Sequence, residues 1–222
     1  MRDWELLDSA VIPGDGGEMR LYRHGNDFSI WANDGELMNS RVHGSEDELG
    51  TLICSRLMGA PTVLIVGLGM GFTLSAALRE LEPNAKVDVA ELVGAVITWN
   101  RGPLAHLAHH PLKDPRVNVL RKDVAQVLRT RHDTYDAVIL DVDNGPEGFT
   151  TDANNEIYSE EGLEAVYSSL RSRGLLAVWS AKGDKSFVMR LRKADFDIEV
   201  IHPQAVKDQE NHHTIWIAMK RD

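Results

Sequence analysis

A glycine-rich turn between an apolar run and an amphipathic stretch is the first feature of the sequence that could do chemistry. Val63–Val66 is continuously apolar, and Gly67, Gly69 and Gly71 follow it directly. Glycines at such a turn let the backbone approach a ligand closely, and a helix that begins there aims its N–H groups at that ligand. The third glycine comes one residue earlier than in the dinucleotide fingerprint. The spacing therefore favours a nucleoside ligand without a pyrophosphate, with a plain tight turn as the alternative.

A carboxylate follows each of the next two predicted strands. Glu91 ends the first of them, about twenty residues beyond the glycines, where a carboxylate accepts hydrogen bonds from both hydroxyls of a ribose. Asp123 and Val124 follow the second, and a carboxylate beside a backbone N–H can read the edge of an adenine. Asp123 also suits a helix N-cap, which needs no ligand. Because the carboxyl ends of parallel strands meet at one crevice, we expect all three residues to line one nucleoside site.

An acidic segment follows the fourth predicted strand. Residues 141–161 contain seven acidic side chains, beginning with Asp141 and Asp143, and neither Lys nor Arg. A solvated loop and the start of a helix would explain these charges, since Glu160 and Glu161 suit a helix N-terminus. Alternatively, these side chains form an acidic entrance to a binding site that attracts cations. The strand order places this entrance at the same crevice. We expect Asp141 and Asp143 to orient a cationic or amine acceptor there.

Alternating strands and helices must position these residues from Thr62 onward. Apolar runs predict strands over 62–66, 86–91, 116–120, 135–140, 175–179, 197–201 and 214–219. Helical spacing predicts helices over 71–81, 93–100, 124–129 and 160–170, and a last helix that ends at Lys193, with Ser159 and Asp184 as N-caps of the last two. Strands separated by helices of this length form right-handed crossovers. The prediction is an α/β fold with a doubly wound, Rossmann-like sheet.

The N-terminal part of the chain has a different pattern. Alternating residues and tight-turn signals predict three short strands over 18–23, 27–32 and 36–39. Three short strands bury little surface alone, so we expect them to pack on the main domain or across a homodimer. A helix then begins, with Ser45 as its N-cap and Glu48 completing a capping box. We therefore divide the chain into a small β-hairpin domain over 1–44 and a Rossmann-like domain over 45–222.

Composition bounds the class of protein. At 222 residues, 43 % of them hydrophobic, the chain has room for one large domain and a small appendage. A formal net charge of −10 repels phosphate backbones and disfavours nucleic acid as a partner. The first residues lack the apolar stretch of a signal peptide, and no apolar run reaches about 18 residues. We therefore expect neither secretion nor a membrane span.

Cysteine and histidine give weaker signals. Cys54 is the only cysteine, which rules out an internal disulfide and favours a reducing compartment, so the expected location is cytoplasmic. Its apolar surroundings favour a small buried hydrophobe over a nucleophile. His106, His109 and His110 are interpreted as part of a surface loop, because no carboxylate accompanies them before Asp114, and no metal site is predicted.

Several stretches of the chain resemble one known family. They are VLIVGLGMG (63–71), Glu91, KDPRVNVLRKDV (113–124) and YDAVILDVDNGP (135–146). Together they are similar to the catalytic domain of the spermidine synthases, which are polyamine aminopropyltransferases with a class I S-adenosylmethionine-binding Rossmann fold. DGELMNS (34–40) and its hairpins resemble the family's small N-terminal β domain. The resemblance implies that Glu91 holds the ribose, Asp123 the adenine amino group, and the loop 67–71 the sulfonium side of the donor.

Departures from that family bear on the reaction. The aminopropyltransferases carry an Asp in the glycine-rich loop that grips the donor's amine, and Met70 stands at that position here. The first Asp of their D-x-x-D-P motif is matched by Asp141, and the second falls on Asn144, or on Asp143 if one gap is allowed. Asn cannot act as a general base at neutral pH, so the first alignment leaves that role vacant. Asp141, Asp143 and Asn144 are the candidate catalytic residues.

The identity of the donor follows from Met70. An Asp there would repel the carboxylate of intact S-adenosylmethionine, whereas loop N–H groups beside a Met can bind it. We therefore predict S-adenosylmethionine as co-substrate and methyl transfer to a small amine-type acceptor. Aminopropyl transfer from decarboxylated S-adenosylmethionine and a non-catalytic nucleoside-binding protein are the alternatives. The predicted donor site consists of Gly67, Gly69, Met70, Gly71, Glu91, Asp123 and Val124.

Overall fold

Two β-sheets and the helices around them make up the described part of the chain. A computed structural model describes residues 3–14, 17–142, 156–180, 183–202 and 213–222. The first sheet is formed by four antiparallel strands in the order β1-β2-β3-β4. These are β1 (Glu5–Val11), β2 (Glu18–His24), β3 (Asp27–Ala32) and β4 (Gly35–Asn39).

The strand β1 was not among the three predicted in this region. Its residues are mostly exposed, and only Leu7 and Ala10 are partly covered, so the apolar alternation that signals a strand is weak there. Pairing with β2 makes it a strand, over a register that runs from Glu5 opposite Arg23 to Val11 opposite Glu18. The small N-terminal sheet is therefore larger by one strand than the sequence indicates.

The second sheet has seven strands and follows the predicted alternation. Its strands are β5 (Thr62–Val66), β6 (Lys86–Ala90), β7 (Val117–Leu120), β8 (Tyr135–Leu140), β9 (Leu170–Ser180), β10 (Phe196–Ile201) and β11 (Thr214–Lys220). Their order is β10-β11-β9-β8-β5-β6-β7. The five adjacent strands β7, β6, β5, β8 and β9 are parallel, and β11 pairs antiparallel with both β9 and β10. This mostly parallel sheet confirms the predicted α/β, Rossmann-like fold.

Helices cover both faces of this sheet. They are α1 (Gly44–Cys54), α2 (Phe72–Glu80), α3 (Gly94–Arg101), α4 (Val124–Leu128), α5 (Glu160–Ser169) and α6 (Lys185–Lys193). On β5, Val63 and Ile65 pack with α1, α2 and α3, while Leu64 and Val66 pack with α4, α5 and α6. Burial on both faces explains why this strand is continuously apolar. Among the described residues, no helix is both long and apolar enough to span a bilayer.

The start of α1 differs from the prediction. His43, not Ser45, is the N-cap, and it makes no side-chain capping bond. The His43 ring stacks on Phe72 at 3.9 Å between centroids, and its Nδ1 lies 2.7 Å from Asp47. Packing of this ring fixes where the helix begins, and the Ser45 hydroxyl instead donates to Glu46 Oε2 at 2.6 Å. The predicted caps of α5 and α6 are confirmed, since the side chains of Ser159 and Asp184 accept backbone bonds there.

The helices α1 and α2 approach each other closely at Gly50. A Cβ at this position would lie 2.5 Å from the carbonyl oxygen of Thr73, so a larger residue would push the helices apart. Cys54 lies one turn further along α1 and is fully buried. Burial raises the pKa of its thiol to about 12, as expected for a cysteine that packs as a small hydrophobe.

The N-terminal sheet packs on the face of the large sheet that α1, α2 and α3 cover. Leu21, Phe28 and Ile30 are buried in the same core as those helices. The Trp99 indole N–H of α3 also donates to the Asp8 carboxylate of β1 at 2.7 Å. The expected packing on the main domain is therefore present within one chain. The division at residue 44 and the homodimer stay predictions.

Candidate active site

The turn from β5 to α2 adopts a conformation that needs glycine. Gly67, Gly69 and Gly71 have φ values of 89°, 50° and 86°, all in the left-handed region. At Gly67 space is also limiting, because a Cβ would lie 2.2 Å from the carbonyl oxygen of Asp141. The turn thus packs directly against the end of β8, so the predicted donor site and the candidate catalytic residue Asp141 meet at this contact.

Three of the five N–H groups in the turn are bonded within the protein. The N–H of Gly67 donates to the Ala90 carbonyl at 2.9 Å, and that of Leu68 donates to Glu91 Oε2 at 3.0 Å. The N–H of Gly71 donates to the Leu68 carbonyl at 2.8 Å. Among the described residues, none accepts a bond from the N–H of Gly69 or of Met70. Within the turn, at most these two N–H groups are available to a ligand carboxylate, fewer than the sequence alone implies.

Asn100 holds the glycine-rich turn against α3. Its amide donates to the Gly69 carbonyl at 2.7 Å and to the Val96 carbonyl at 2.9 Å, and the side chain is almost fully buried. Gly71 faces the same amide, since a Cβ there would lie 3.0 Å from Asn100 Oδ1. No sequence signal marks this residue, because Gly69, its partner in the turn, lies 31 residues away along the chain.

Glu91 is fixed at the end of β6 by two backbone donors. Its Oε2 accepts from the Leu68 N–H, and its Oε1 accepts from the Val93 N–H at 2.7 Å. The residue is only 9 % exposed and lines the cavity beside the glycine-rich turn. Two charge-assisted bonds hold an anionic acceptor in one orientation where the ribose of a nucleoside is expected.

The N-cap prediction for Asp123 is confirmed, and its contact with an adenine stays a prediction. Its Oδ1 accepts from the Ala125 N–H at 2.7 Å, which caps α4, and its side chain also lines the cavity. Val124 lines the same cavity. The strand ends after β5, β6 and β7 therefore meet at one crevice, as the sheet topology requires.

Met70 is placed differently from its glycine neighbours. Its side chain is fully buried in the core shared with α1, α2 and α3, and Met70 is not among the residues that line the cavity. Gly67 and Gly69 do line the cavity, and Gly71 caps α2 behind them. A role for Met70 in choosing the donor stays a prediction.

Asp141, at the end of β8, faces the cavity from beneath the turn. Its Oδ2 accepts from the Thr73 hydroxyl at 2.6 Å, and this hydroxyl lies 3.3 Å from the carbonyl oxygen of Glu46. Burial, followed by the negative charge of Glu46, raises the pKa of Asp141 to about 7, while the bond from Thr73 acts in the opposite direction. Asp143 and Asn144 lie outside the described residues.

The rest of the cavity wall comes from residues that the sequence did not mark as functional. One side is an apolar surface formed by the N-terminal segment and Trp179, namely Ile12, Met19, Ile30, Leu37, Met38 and Trp179. Glu46, in the first turn of α1, is the acidic member of this side. In the sequence, Glu46 lies between Ser45 and Glu48, the two residues predicted to form a capping box. Only the packing of α1 against α2 brings it beside Asp141.

Curated relatives match about half of the chain. Residues of this chain are 33 % identical to putrescine N-methyltransferase 2 of Nicotiana tabacum over 115 residues, which is 51 % of this chain and 31 % of that protein. They are 32 % identical to polyamine aminopropyltransferase 2 of Pseudomonas aeruginosa over 123 residues, 52 % of this chain and 32 % of that one. The chain thus spans about a third of the length of these relatives.

A solved structure and a family model extend the likeness. A crystal structure of a spermidine synthase in complex with the transition-state analogue AdoDATO superposes with a TM-score of 0.78 at 19 % identity, covering 97 % of this chain and 73 % of that one. At this identity the comparison shows the fold. Residues 49–190, more than half of the chain, match the model described as the spermine/spermidine synthase domain. The chain therefore belongs to the spermine/spermidine synthase domain family.

Proposed function

We propose that this protein transfers the methyl group of S-adenosylmethionine to a primary amine of a small, polyamine-like acceptor, with Asp141 as the base. The observation that carries the proposal is the position of Asp141 in the cavity. It packs against the glycine-rich turn and shares the cavity with Glu91 and Asp123. A proton acceptor and a nucleoside site are thus neighbours.

The donor half of the cavity fits an adenosyl group. Glu91 offers a fixed carboxylate to the ribose hydroxyls, and Asp123 with Val124 lies where an adenine edge can be bound. The N–H groups of Gly69 and Met70 are the donors available for the carboxylate of the methionine moiety. When bound, the donor supplies an electrophilic methyl carbon on a sulfonium, and the electron pair of the broken C–S bond stays on sulfur.

Asp141 prepares the acceptor for attack. A primary alkyl amine, like the side chain of Lys, has a pKa of about 10.4 and is protonated at neutral pH. The pKa of Asp141 is raised to about 7. The gap between this pKa and that of the amine is about half the gap for an ordinary aspartate, so the proton transfer is less unfavourable. It accepts one proton from the acceptor ammonium, and the freed lone pair on nitrogen forms the new N–C bond. The product is an N-methyl ammonium, and Asp141 returns its proton to solvent.

Aminopropyl transfer is the second candidate, because Glu46 places another carboxylate in the cavity. The free ammonium of decarboxylated S-adenosylmethionine needs an anionic partner, and the relative from Pseudomonas aeruginosa is named for aminopropyl transfer. Methyl transfer is favoured by the absence of any carboxylate in the glycine-rich turn itself and by the relative named putrescine N-methyltransferase.

The experiment that separates the candidates is a titration of both donors into the wild-type chain, followed by turnover with putrescine. We expect S-adenosylmethionine to bind more tightly and the product to be N-methylated by mass spectrometry. An aminopropylated product from the decarboxylated donor would establish the second candidate instead. Binding of S-adenosylhomocysteine without turnover of either donor would leave a nucleoside-binding protein. A Met70→Asp variant is a poor probe, since the buried side chain would bring a charge into the core.

A further inference from the structure

We propose that Glu46 is the specificity residue of the acceptor site, where it binds the acceptor's ammonium together with Asp141. The inference rests on the proposed function, since it takes the acceptor to be an amine. Glu46 lies in α1, outside the glycine-rich turn and the strand ends that supply the predicted site residues.

The position of Glu46 is fixed by the contact between α1 and α2. It lies one helical turn before Gly50, where α1 and α2 are tightly packed. The Thr73 hydroxyl lies between the backbone of Glu46 and the carboxylate of Asp141, at 3.3 Å and 2.6 Å. Glu46 is thereby held on the cavity wall next to the proposed base.

Within the described part of the chain, no cation forms an ion pair with Glu46. Its carboxylate accepts a hydrogen bond from the Ser45 hydroxyl at 2.6 Å. Asp141 likewise has a hydroxyl partner and no cation among the described residues. Burial, and after it the negative charge of Glu46, raises the pKa of Asp141, so the two carboxylates are close enough to interact across the cavity. An ammonium between them removes this repulsion.

The surroundings of the two carboxylates define the rest of the acceptor. The cavity lining here is apolar. The N-terminal sheet contributes Met19, Ile30 and Met38, the residue after β1 is Ile12, and β9 contributes Trp179. Apolar surface of this kind packs against a hydrocarbon stem and leaves a charged head to the carboxylates. The chemistry of the site therefore selects a primary ammonium on an aliphatic chain.

The test compares Glu46→Gln with Glu48→Gln in the full chain. Glu48 is two residues further along the same helix and does not line the cavity, so it serves as a matched control. For Glu46→Gln we expect the KM for putrescine to rise about tenfold to a hundredfold, the loss of one charge-assisted hydrogen bond, with a much smaller change in kcat. Glu48→Gln should behave as wild type, and Glu46→Asp should recover part of the affinity because it keeps the charge.

Binding measurements separate an acceptor role from a donor role. In the presence of S-adenosylhomocysteine, wild type should bind n-butylamine more tightly than 1-butanol, and Glu46→Gln should lose that preference. Affinity for S-adenosylhomocysteine itself should not change. If its affinity falls while that of methylthioadenosine does not, Glu46 holds the ammonium of the donor and the inference is wrong. An unchanged KM in an active Glu46→Gln enzyme also overturns it, whereas an inactive wild type that binds no amine overturns the proposed function.

Discussion

The two halves of the cavity are built in different ways. In the donor half, each residue follows its own parallel strand, and backbone N–H groups close at hand fix the carboxylates of Glu91 and Asp123. In the acceptor half, Glu46 and the apolar wall come from the N-terminal sheet and α1, and tertiary packing alone brings them to Asp141. The donor half is thus determined by the order of the parallel strands, and the acceptor half is determined by how two sheets dock.

The largest expected effect is the loss of turnover on replacing Asp141, the residue where the two halves of the cavity meet. Asp141→Asn removes the proton acceptor and keeps a side-chain oxygen for the Thr73 hydroxyl. We expect kcat for an amine acceptor to fall about a hundredfold to ten-thousandfold, as for loss of a general base. Affinity for S-adenosylhomocysteine, measured by calorimetry, should change little. A variant with near wild-type kcat would remove Asp141 from the chemistry.

Loss of Glu91 should affect the donor half alone. Glu91→Ala removes the carboxylate that the Leu68 and Val93 N–H groups hold, and with it the expected bond to the ribose. We expect the affinity for S-adenosylhomocysteine to weaken by about 1.5–3 kcal/mol. Calorimetry checks this, with Glu82→Ala, outside the cavity lining, as a control. Unchanged affinity would exclude Glu91 from the site.

Asp141 should also reduce stability in a pH-dependent way. Its folded pKa of about 7 lies above the value of about 3.9 in an unfolded chain, so folding favours the protonated form. Stability is therefore lost as pH rises from about 4 to about 7, and the loss is constant above that range. Asp141→Asn removes this cost, and we expect it to raise the free energy of unfolding by about 1–3 kcal/mol at pH 8. Thermal unfolding at pH 4 should show no gain.

The smallest effect concerns the pH dependence of turnover. Asp141 must be ionised to accept a proton, so kcat/KM should rise with pH through about 7. Among the described residues, Glu46 on α1 is the charged group that raises this pKa, and α2 contributes the neutral Thr73. Glu46→Gln should therefore shift the acidic limb to lower pH, by less than about one pH unit. A shift to higher pH would contradict the assignment.

The same difference between the halves decides what the sequence predicts. The strands 62–66 and 135–140 are present with the predicted ends, because buried parallel strands are continuously apolar and have clear limits. Glu91 and Asp123 line the cavity as expected, since strand ends in a doubly wound sheet meet at one edge. The topology alone places them.

Features that depend on contacts across the fold were missed. The pattern of Ser45 and Glu48 is typical of a capping box, yet the stacking of His43 on Phe72 sets the helix start. Glu46 was not singled out, because its neighbour Asp141 is distant along the chain. Met70 was placed by alignment with a family motif, and motif position does not report that a side chain points into the core.

Trp179 places a fluorescent side chain in the wall of the cavity. Its indole N–H is buried at the cavity wall without a hydrogen-bond acceptor among the described residues, and its ring lies 5.1 Å from that of His213. Indole emission responds to hydrogen bonding and to the polarity of its surroundings. A ligand that enters the cavity should therefore change the intrinsic fluorescence of the protein, so that binding can be followed without a label. Trp179 is the tryptophan among the residues that line the cavity, and the other four, Trp4, Trp31, Trp99 and Trp216, supply the background against which such a change is read.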